Sequence, residues 1–187
     1  IASGTSTVIV AGRDVNTEAA QVTAQDNIGV AAGRDVNLNT ATESDYYYKE
    51  QTKKSGGFLR KSTTHTIKEE SATREAGTLL SGDNVKVSAG NDLLVKGSAV
   101  VGDGDVALSA GHNVSIEAAT NTDASWQLKE KKKSGLMGSG GIGFTIGSTK
   151  SKQELKEKGT TQSESASTVG SNSGDVTITA GNQLHVG

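Results

Sequence analysis

Apolar residues in this chain alternate with small or polar ones over short runs, and glycine, aspartate or asparagine cuts each run. Val85 and Val87, Leu93 and Val95, Val106 and Leu108, and Val114 and Ile116 each stand two positions apart, with Val100 between the pairs. Period-two alternation broken by turn residues predicts strand–turn–strand, with these residues facing inward. Residues 1–40 read the same way: Val8 and Val10 alternate with polar or small neighbours, and Val15, Val22, Ile28, Val30, Val36 and Leu38 continue the pattern. Val176-Thr177-Ile178 and Leu184-His185-Val186 supply two further strands.

The turns repeat a phrase: Ala-Gly, a polar residue, Asp, Asn or Gln, then an apolar residue. It occurs at Gly12, Gly33, Gly90, Gly111 and Gly181. Gly12 and Gly33 are 21 residues apart, as are Gly90 and Gly111. A short fixed period is the mark of a solenoid. The five glycines are expected at coil corners, where glycine tolerates positive φ and Asp or Asn bonds its own backbone.

Two stretches break the rhythm, at about 41–80 and 119–170. The first holds Tyr46, Tyr47 and Tyr48, the turn signal Ser55-Gly56-Gly57, and a Thr-rich run that favours strand. It predicts a long hairpin turning near Gly56 and Gly57 and projecting from the solenoid. The second echoes it. Ala41, Thr42, Asp45 and Tyr48 stand 78 residues before Ala119, Thr120, Asp123 and Trp126, the offset that also separates Gly33 from Gly111. Lys53-Lys54-Ser55-Gly56 is matched by Lys132-Lys133-Ser134-Gly135. Lys150 to Lys158 admits a short helix instead of strand, because Gln153, Glu154, Leu155 and Lys156 favour helix. The expectation is one β-helical segment over 1–187 with two hairpin-like excursions.

Composition agrees with thin stacked rungs rather than a globular core: hydrophobic residues are 33%, aromatics 3%, and 24 of 187 residues are glycine. A formal net charge of −2 gives no general case for nucleic acid. Without cysteine, neither disulfides nor thiolate metal sites can form. No apolar run approaches the length of a membrane-spanning helix, and no leader pattern opens the chain. Its first residues already read as repeat, so an internal piece of something longer is expected.

On these phrases and the paired Lys-Lys-Ser-Gly turns, the chain resembles the haemagglutinin repeats of filamentous-haemagglutinin-type exoproteins. It is most similar to the second repeat region of contact-dependent growth inhibition proteins of the CdiA type. The resemblance covers essentially the whole chain. It implies an all-β, right-handed parallel β-helix in a very long protein, secreted through an outer-membrane transporter to the bacterial cell surface. It also implies that such a region associates with the target cell's outer membrane and helps move a C-terminal toxin across. A purely structural or adhesive stalk is the alternative. The implied partners are the rest of the exoprotein, the transporter and the target outer membrane.

Candidate contact residues follow from the aromatic distribution. Every aromatic lies in an excursion, and so do all Lys and Arg except Arg13, Arg34, Lys86 and Lys96. Aromatics beside lysines suit a membrane interface or a protein contact. The other reading is that these rings cover the solenoid's flank. The candidates are Tyr46, Tyr47, Tyr48, Phe58, Trp126, Leu136, Met137, Ile142, Phe144 and Ile146. The last five belong to a Gly-rich stretch uncharged from Ser134 to Ser148. Gly138 to Gly143 forms a G-x-G-x-x-G, but lysines precede it and a strand-like run follows, so the context for a nucleotide site is missing. Gly102-Asp103-Gly104-Asp105 resembles a calcium-binding turn, yet occurs once where that motif needs repetition. His65, His112 and His185 lack ligand spacing. No cofactor, metal or catalytic constellation is expected, and any toxin activity is assigned to a C-terminal domain outside this chain.

Overall fold

The computed structural model describes residues 1–57, 60–138, 144–155 and 161–187, with residues 135–138, 144–149 and 154–155 described by their strands alone. The described residues contain strands and no helix. They fall into two compact units, one of Ile1–Glu43, Arg74–Asn121 and Ser163–Gly187, the other of Ser44–Thr73 and Thr122–Gln162.

The first unit is a parallel β-helix of five coils. Coil one holds β1 (Ala2–Ser3), β2 (Thr7–Ala11) and β3 (Val15–Glu18). Coil two holds β4 (Gln21–Ala24), β5 (Ile28–Ala32) and β6 (Val36–Asn39). After β7 (Ala41–Gly57) and β8 (Arg60–Ala76) come coil three, β9 (Leu79–Gly82), β10 (Val85–Ala89) and β11 (Leu93–Lys96), and coil four, β12 (Ala99–Gly102), β13 (Val106–Ala110) and β14 (Asn113–Glu117). After β15 (Ala119–Gly138), β16 (Phe144–Leu155) and β17 (Thr161–Ser165) comes coil five, β18 (Thr168–Ser171), β19 (Val176–Ala180) and β20 (Gln183–Val186). Like strands of successive coils form three parallel five-stranded sheets.

Register is kept across both insertions. Val30 pairs with Val87, then Leu108, then Ile178, while Val36 pairs with Leu93, then Val114, then Leu184. Inward residues therefore stack in apolar columns. Ile28, Leu38, Leu80, Leu93, Leu108 and seven valines are essentially without solvent contact. Each such side chain contributes roughly 1.5–3 kcal/mol of transfer free energy. Val8 and Val10 do not belong to these columns. They are 72% and 73% exposed, and their register partners are Gly29 and Ala31. Thr7, Ile9 and Ala11 hold the inward positions, beneath Ile28, Val30 and Ala32.

The repeated phrase is a stacking device. A Cβ built at Gly33 would lie well inside 3.0 Å of the Gly12 carbonyl oxygen, and the same holds for Gly90 over Gly33, Gly111 over Gly90 and Gly181 over Gly111. These glycines are not in the left-handed region. Among the described residues, positive φ belongs to Gly97 (51°) and Ala19 (46°), both at the corner after the third strand of a coil. The corner-φ expectation is thus replaced by close backbone approach between coils. The acidic residue also acts between coils rather than on its own backbone. Asp14, Asp35 and Asp92 accept the backbone N–H of Asp35, Asp92 and Asn113, one coil on. The polar residue after glycine reaches the same acceptors: Arg34 binds Asp14 with two nitrogens, and Asn91 donates to Asp35. A second ladder, at the corner between the first and second strands of a coil, runs Asn84 to Asp105 to Asp175.

The third corner carries hydroxyls. Thr78 and Ser98 are buried there. Thr78 Oγ1 donates to the Asn39 carbonyl, and Ser98 Oγ accepts the Thr78 N–H. Ser167 Oγ accepts the Ser98 N–H and lies 2.6 Å from the Glu117 carbonyl, to which it donates. Both excursions enter the chain at this corner, after β6 and after β14. Glu75 accepts from the Thr40 and Thr42 hydroxyls, and its own N–H donates to Asn121 Oδ1. Asn121 Nδ2 donates in turn to Ser165.

The Thr40 and Thr42 hydrogen bonds hold the Glu75 carboxyl below its ordinary value, and the Arg34 hydrogen bond does the same for Asp14. A carboxylate with a depressed folded pKa stabilises fully above its unfolded value, about 4. That contribution disappears as pH falls through the lower folded value. Melting temperature should therefore drop between pH 7 and pH 3 by less in Glu75→Gln than in the unaltered chain. Parallel pH dependence of the two melts would rule the carboxylate out as a contributor.

Candidate functional site

The second unit is built from the excursions. Each excursion is a pair of neighbouring strands, as expected, and the two pairs join into one sheet in the order β16-β15-β8-β7. Thr122–Gly135 of β15 run against Thr73–Arg60 of β8, and Gln127–Gly138 against Leu155–Phe144 of β16. Lys150 to Leu155 are strand, so the helical alternative fails there. Such strands carry β-branched and Lys/Gln residues two positions apart, which suits a sheet with both faces open to polar contacts.

Alternation sorts the side chains onto two faces. Trp126, Leu128 and Glu130 share a face with their register partners Glu69, Ile67 and His65. Hydrogen bonds place Tyr46, Tyr48 and Glu50 there too. Tyr46 Oη donates to Glu69 at 2.9 Å, Tyr48 Oη donates to Glu50 at 3.0 Å, and His65 Nε2 lies 2.6 Å from Glu50. Each tyrosine hydroxyl is pushed above its ordinary pKa by the carboxylate it bonds, and His65 holds Glu50 below its own. Lys150 lies 3.8 Å from Glu130 on this face.

Of the sequence candidates, Tyr46, Tyr47 and Tyr48 are exposed, and Trp126 is half-buried. Tyr46, Tyr48 and Trp126 are brought to one face, while Tyr47 falls on the other. Leu136 and Met137 lie at the distal end of β15, opposite Ile146 and Thr145 of β16, with Phe144 opposite Gly138. Phe58 and Ile142 lie outside the described residues, as does most of the G-x-G-x-x-G stretch. The carboxylate of Asp105, in the turn that resembles a calcium site, accepts the N–H of Asp175 and so serves as a coil-to-coil acceptor. Sequence reasoning missed Ile67, Leu128 and the Glu50–His65 pair. Their signal is the period-two spacing of Ile67 with His65 and Glu69, readable once the face is known.

A parallel β-helix with an Ala-Gly-x-Asp corner ladder and two inserted strand pairs defines a class. The haemagglutinin repeat family model matches residues 1–59 and 57–186, and the chain belongs to that family. It is 74% identical over 187 residues to the 16S rRNA endonuclease CdiA of Enterobacter cloacae, covering all of this chain and 6% of that protein. It is 66% identical over 168 residues to the tRNA nuclease CdiA of Escherichia coli strain STEC_O31, covering 90% of this chain and 5% of that protein. The Deoxyribonuclease CdiA of Dickeya dadantii is 45% identical over 171 residues. No solved structure matches the chain. The chain is thus a CdiA-type repeat segment of a contact-dependent inhibition exoprotein. It spans about one twentieth of the length of these relatives, and their differing nuclease names describe whole proteins while the shared part is repeat.

Proposed function

We propose that this segment is a surface rod that also takes part in target outer-membrane association during toxin delivery. The observation that carries the reading is the excursion sheet. It gathers tyrosines and a tryptophan on one face and ends, along β15 and β16, in a stretch uncharged from Ser134 to Ser148. Aromatic residues at the edge of an apolar element are what a lipid–water boundary selects. The remaining exoprotein and an outer-membrane transporter are its partners, at the bacterial cell surface. The nuclease activity belongs to another part of the longer protein. Strands in lipid must satisfy every backbone group, so full insertion requires further strands from neighbouring repeats. The second reading is an adhesive stalk, and the unbroken coil register through both insertions favours it: β6 pairs β11 as though nothing intervened.

Dye release from vesicles of outer-membrane lipids separates the two. The chain should release dye, and a version with residues 134–148 replaced by a short Gly-Ser turn should not. Release by neither, with both folded by circular dichroism, would leave the stalk.

A further inference from the structure

The face of the excursion sheet opposite Trp126 differs from it in charge. Lys129, Lys131 and Lys133 follow one another at alternate positions of β15. Their register partners are Thr66, Thr64 and Ser62 in β8 and Gln153, Ser151 and Thr149 in β16. Lys68 of β8 pairs with Gln127 on the same face. In β7, Lys49 and Lys53 fall on this side by alternation, because Tyr48 and Glu50 are fixed on the other by their hydrogen bonds. All six lysines are exposed. Among the described residues none of the six is in an ion pair. Over 49–57, 60–69 and 127–133 this face carries no carboxylate, its next one along β8 being Glu70, two positions beyond Lys68, whereas over the same residues the opposite face balances its lysines with Glu50, Glu69 and Glu130. Both faces come from the same strands, so the segregation is not a matter of local composition.

We propose that this lysine face docks on the phosphate-bearing headgroups of a lipid surface. The proposal rests on the membrane-association reading and names the chemistry of its contact. The ammonium groups of Lys129, Lys131 and Lys133 start from Cα atoms about 7 Å apart along the strand, in one plane, with hydroxyls and amides as register neighbours. Exposed point charges spread along a strand, with hydrogen-bonding neighbours, match phosphates at a surface better than they match a single enclosed anion. Beyond Lys133 the strand becomes uncharged within one residue, and β15 and β16 continue paired to Gly138 and Phe144. Cations followed by an uncharged, partly apolar end reproduce the order from headgroup to hydrocarbon. That order favours a lipid surface over a nucleic acid, which would use the cations and leave the end without a role.

The test is vesicle co-sedimentation. Phosphatidylcholine vesicles are compared with phosphatidylcholine vesicles containing phosphatidylglycerol, at low and high salt. One variant combines Lys129→Ala, Lys131→Ala and Lys133→Ala. Its control combines Lys54→Ala, Lys61→Ala and Lys132→Ala, removing the same charge from the same three-strand sheet region on the opposite face. The expected result is salt-sensitive binding to the phosphatidylglycerol vesicles that falls roughly a hundredfold in the first variant. The control should retain most of the binding, and circular dichroism should show both variants folded. Equal losses in the two variants would overturn the proposal by reducing it to net charge. Equal binding to both vesicle types, undiminished in the first variant, would overturn it while leaving membrane association standing. Binding to neither vesicle type would remove the membrane-association reading together with it. Double-stranded DNA bound as tightly as the anionic vesicles, with the same dependence on the three lysines, would overturn the choice of a lipid surface.

Discussion

In the 187-residue segment, Gly90→Ala should lower the melting temperature by about 6–12 °C, the equivalent of roughly 3 kcal/mol of overpacking in a chain of this size, while Gly12→Ala, in the segment's first coil, should leave it nearly unchanged. Both glycines occupy the same place in the repeated phrase, so a local conformational requirement would make both changes costly. The structure separates them. A Cβ at Gly90 would be driven into the Gly33 carbonyl oxygen, with the Gly33 carbonyl carbon 2.9 Å away. Nothing lies within 4 Å of the position a Cβ would take at Gly12, because these 187 residues hold no coil beneath it; in a longer chain with a preceding coil Gly12 should behave as Gly90 does. Relief would require neighbouring coils to separate at that corner. There the Asn91 N–H donates to the Arg34 carbonyl at 2.7 Å and the Asp92 N–H to the Asp35 carboxylate at 3.3 Å. Those bonds would lengthen together, and the valine variant of Gly111 should behave like Gly90→Ala or worse. Thermal unfolding followed by circular dichroism measures the contrast. Matching losses at Gly12 and Gly90 would defeat the steric account.

Local signals carried most of the coil. A strand with one buried face announces itself by period two, and Val85 to Ile116 sit in the structure where that period puts them. The first coil shows where a local signal is ambiguous. In Thr7-Val8-Ile9-Val10-Ala11 both phases of alternation contain apolar residues, and the local pattern favoured the wrong one. The 21-residue repeat resolves it, because it lays Thr7, Ile9 and Ala11 on Ile28, Val30 and Ala32. The hydroxyl column of Thr78, Ser98 and Ser167 was not legible. Single hydroxyls in short connections have no pattern until the coils are stacked, and the excursions spread these three over unequal spacings. The excursions themselves were recognised by their echo, but their mutual pairing was not. Two similar strand pairs can associate in several registers, and the choice of β8 against β15 depends on contacts between residues some fifty apart, such as Thr73 with the Thr122 carbonyl. The candidate contact residues were therefore chosen by composition and left unsorted by face. Face follows from register, which sequence alone did not set.

Leu93→Ala should cost about 2–5 kcal/mol, the range for emptying a closed apolar site, and Leu184→Ala about 1 kcal/mol. The two leucines belong to one column, Val36, Leu93, Val114 and Leu184 in order. Leu93 is 1% exposed with a coil on each side, and Leu184 is 48% exposed with a coil on one. In a solenoid each coil's stability comes from its own folding plus its two interfaces. Truncating Leu93 leaves a void between Val36 and Val114 and weakens both interfaces of coil three, whereas in the 187-residue segment truncating Leu184 touches only the interface of coil five with coil four. The void cannot collapse easily, because the backbone ladders on either side fix the spacing of the coils. Leu93→Ala should accordingly melt the whole coil stack at lower temperature. Leu184→Ala should broaden the onset of unfolding without moving the main transition much. Calorimetry of the two variants reads both quantities, and equal shifts would mean that the column is not the shared core of the stack.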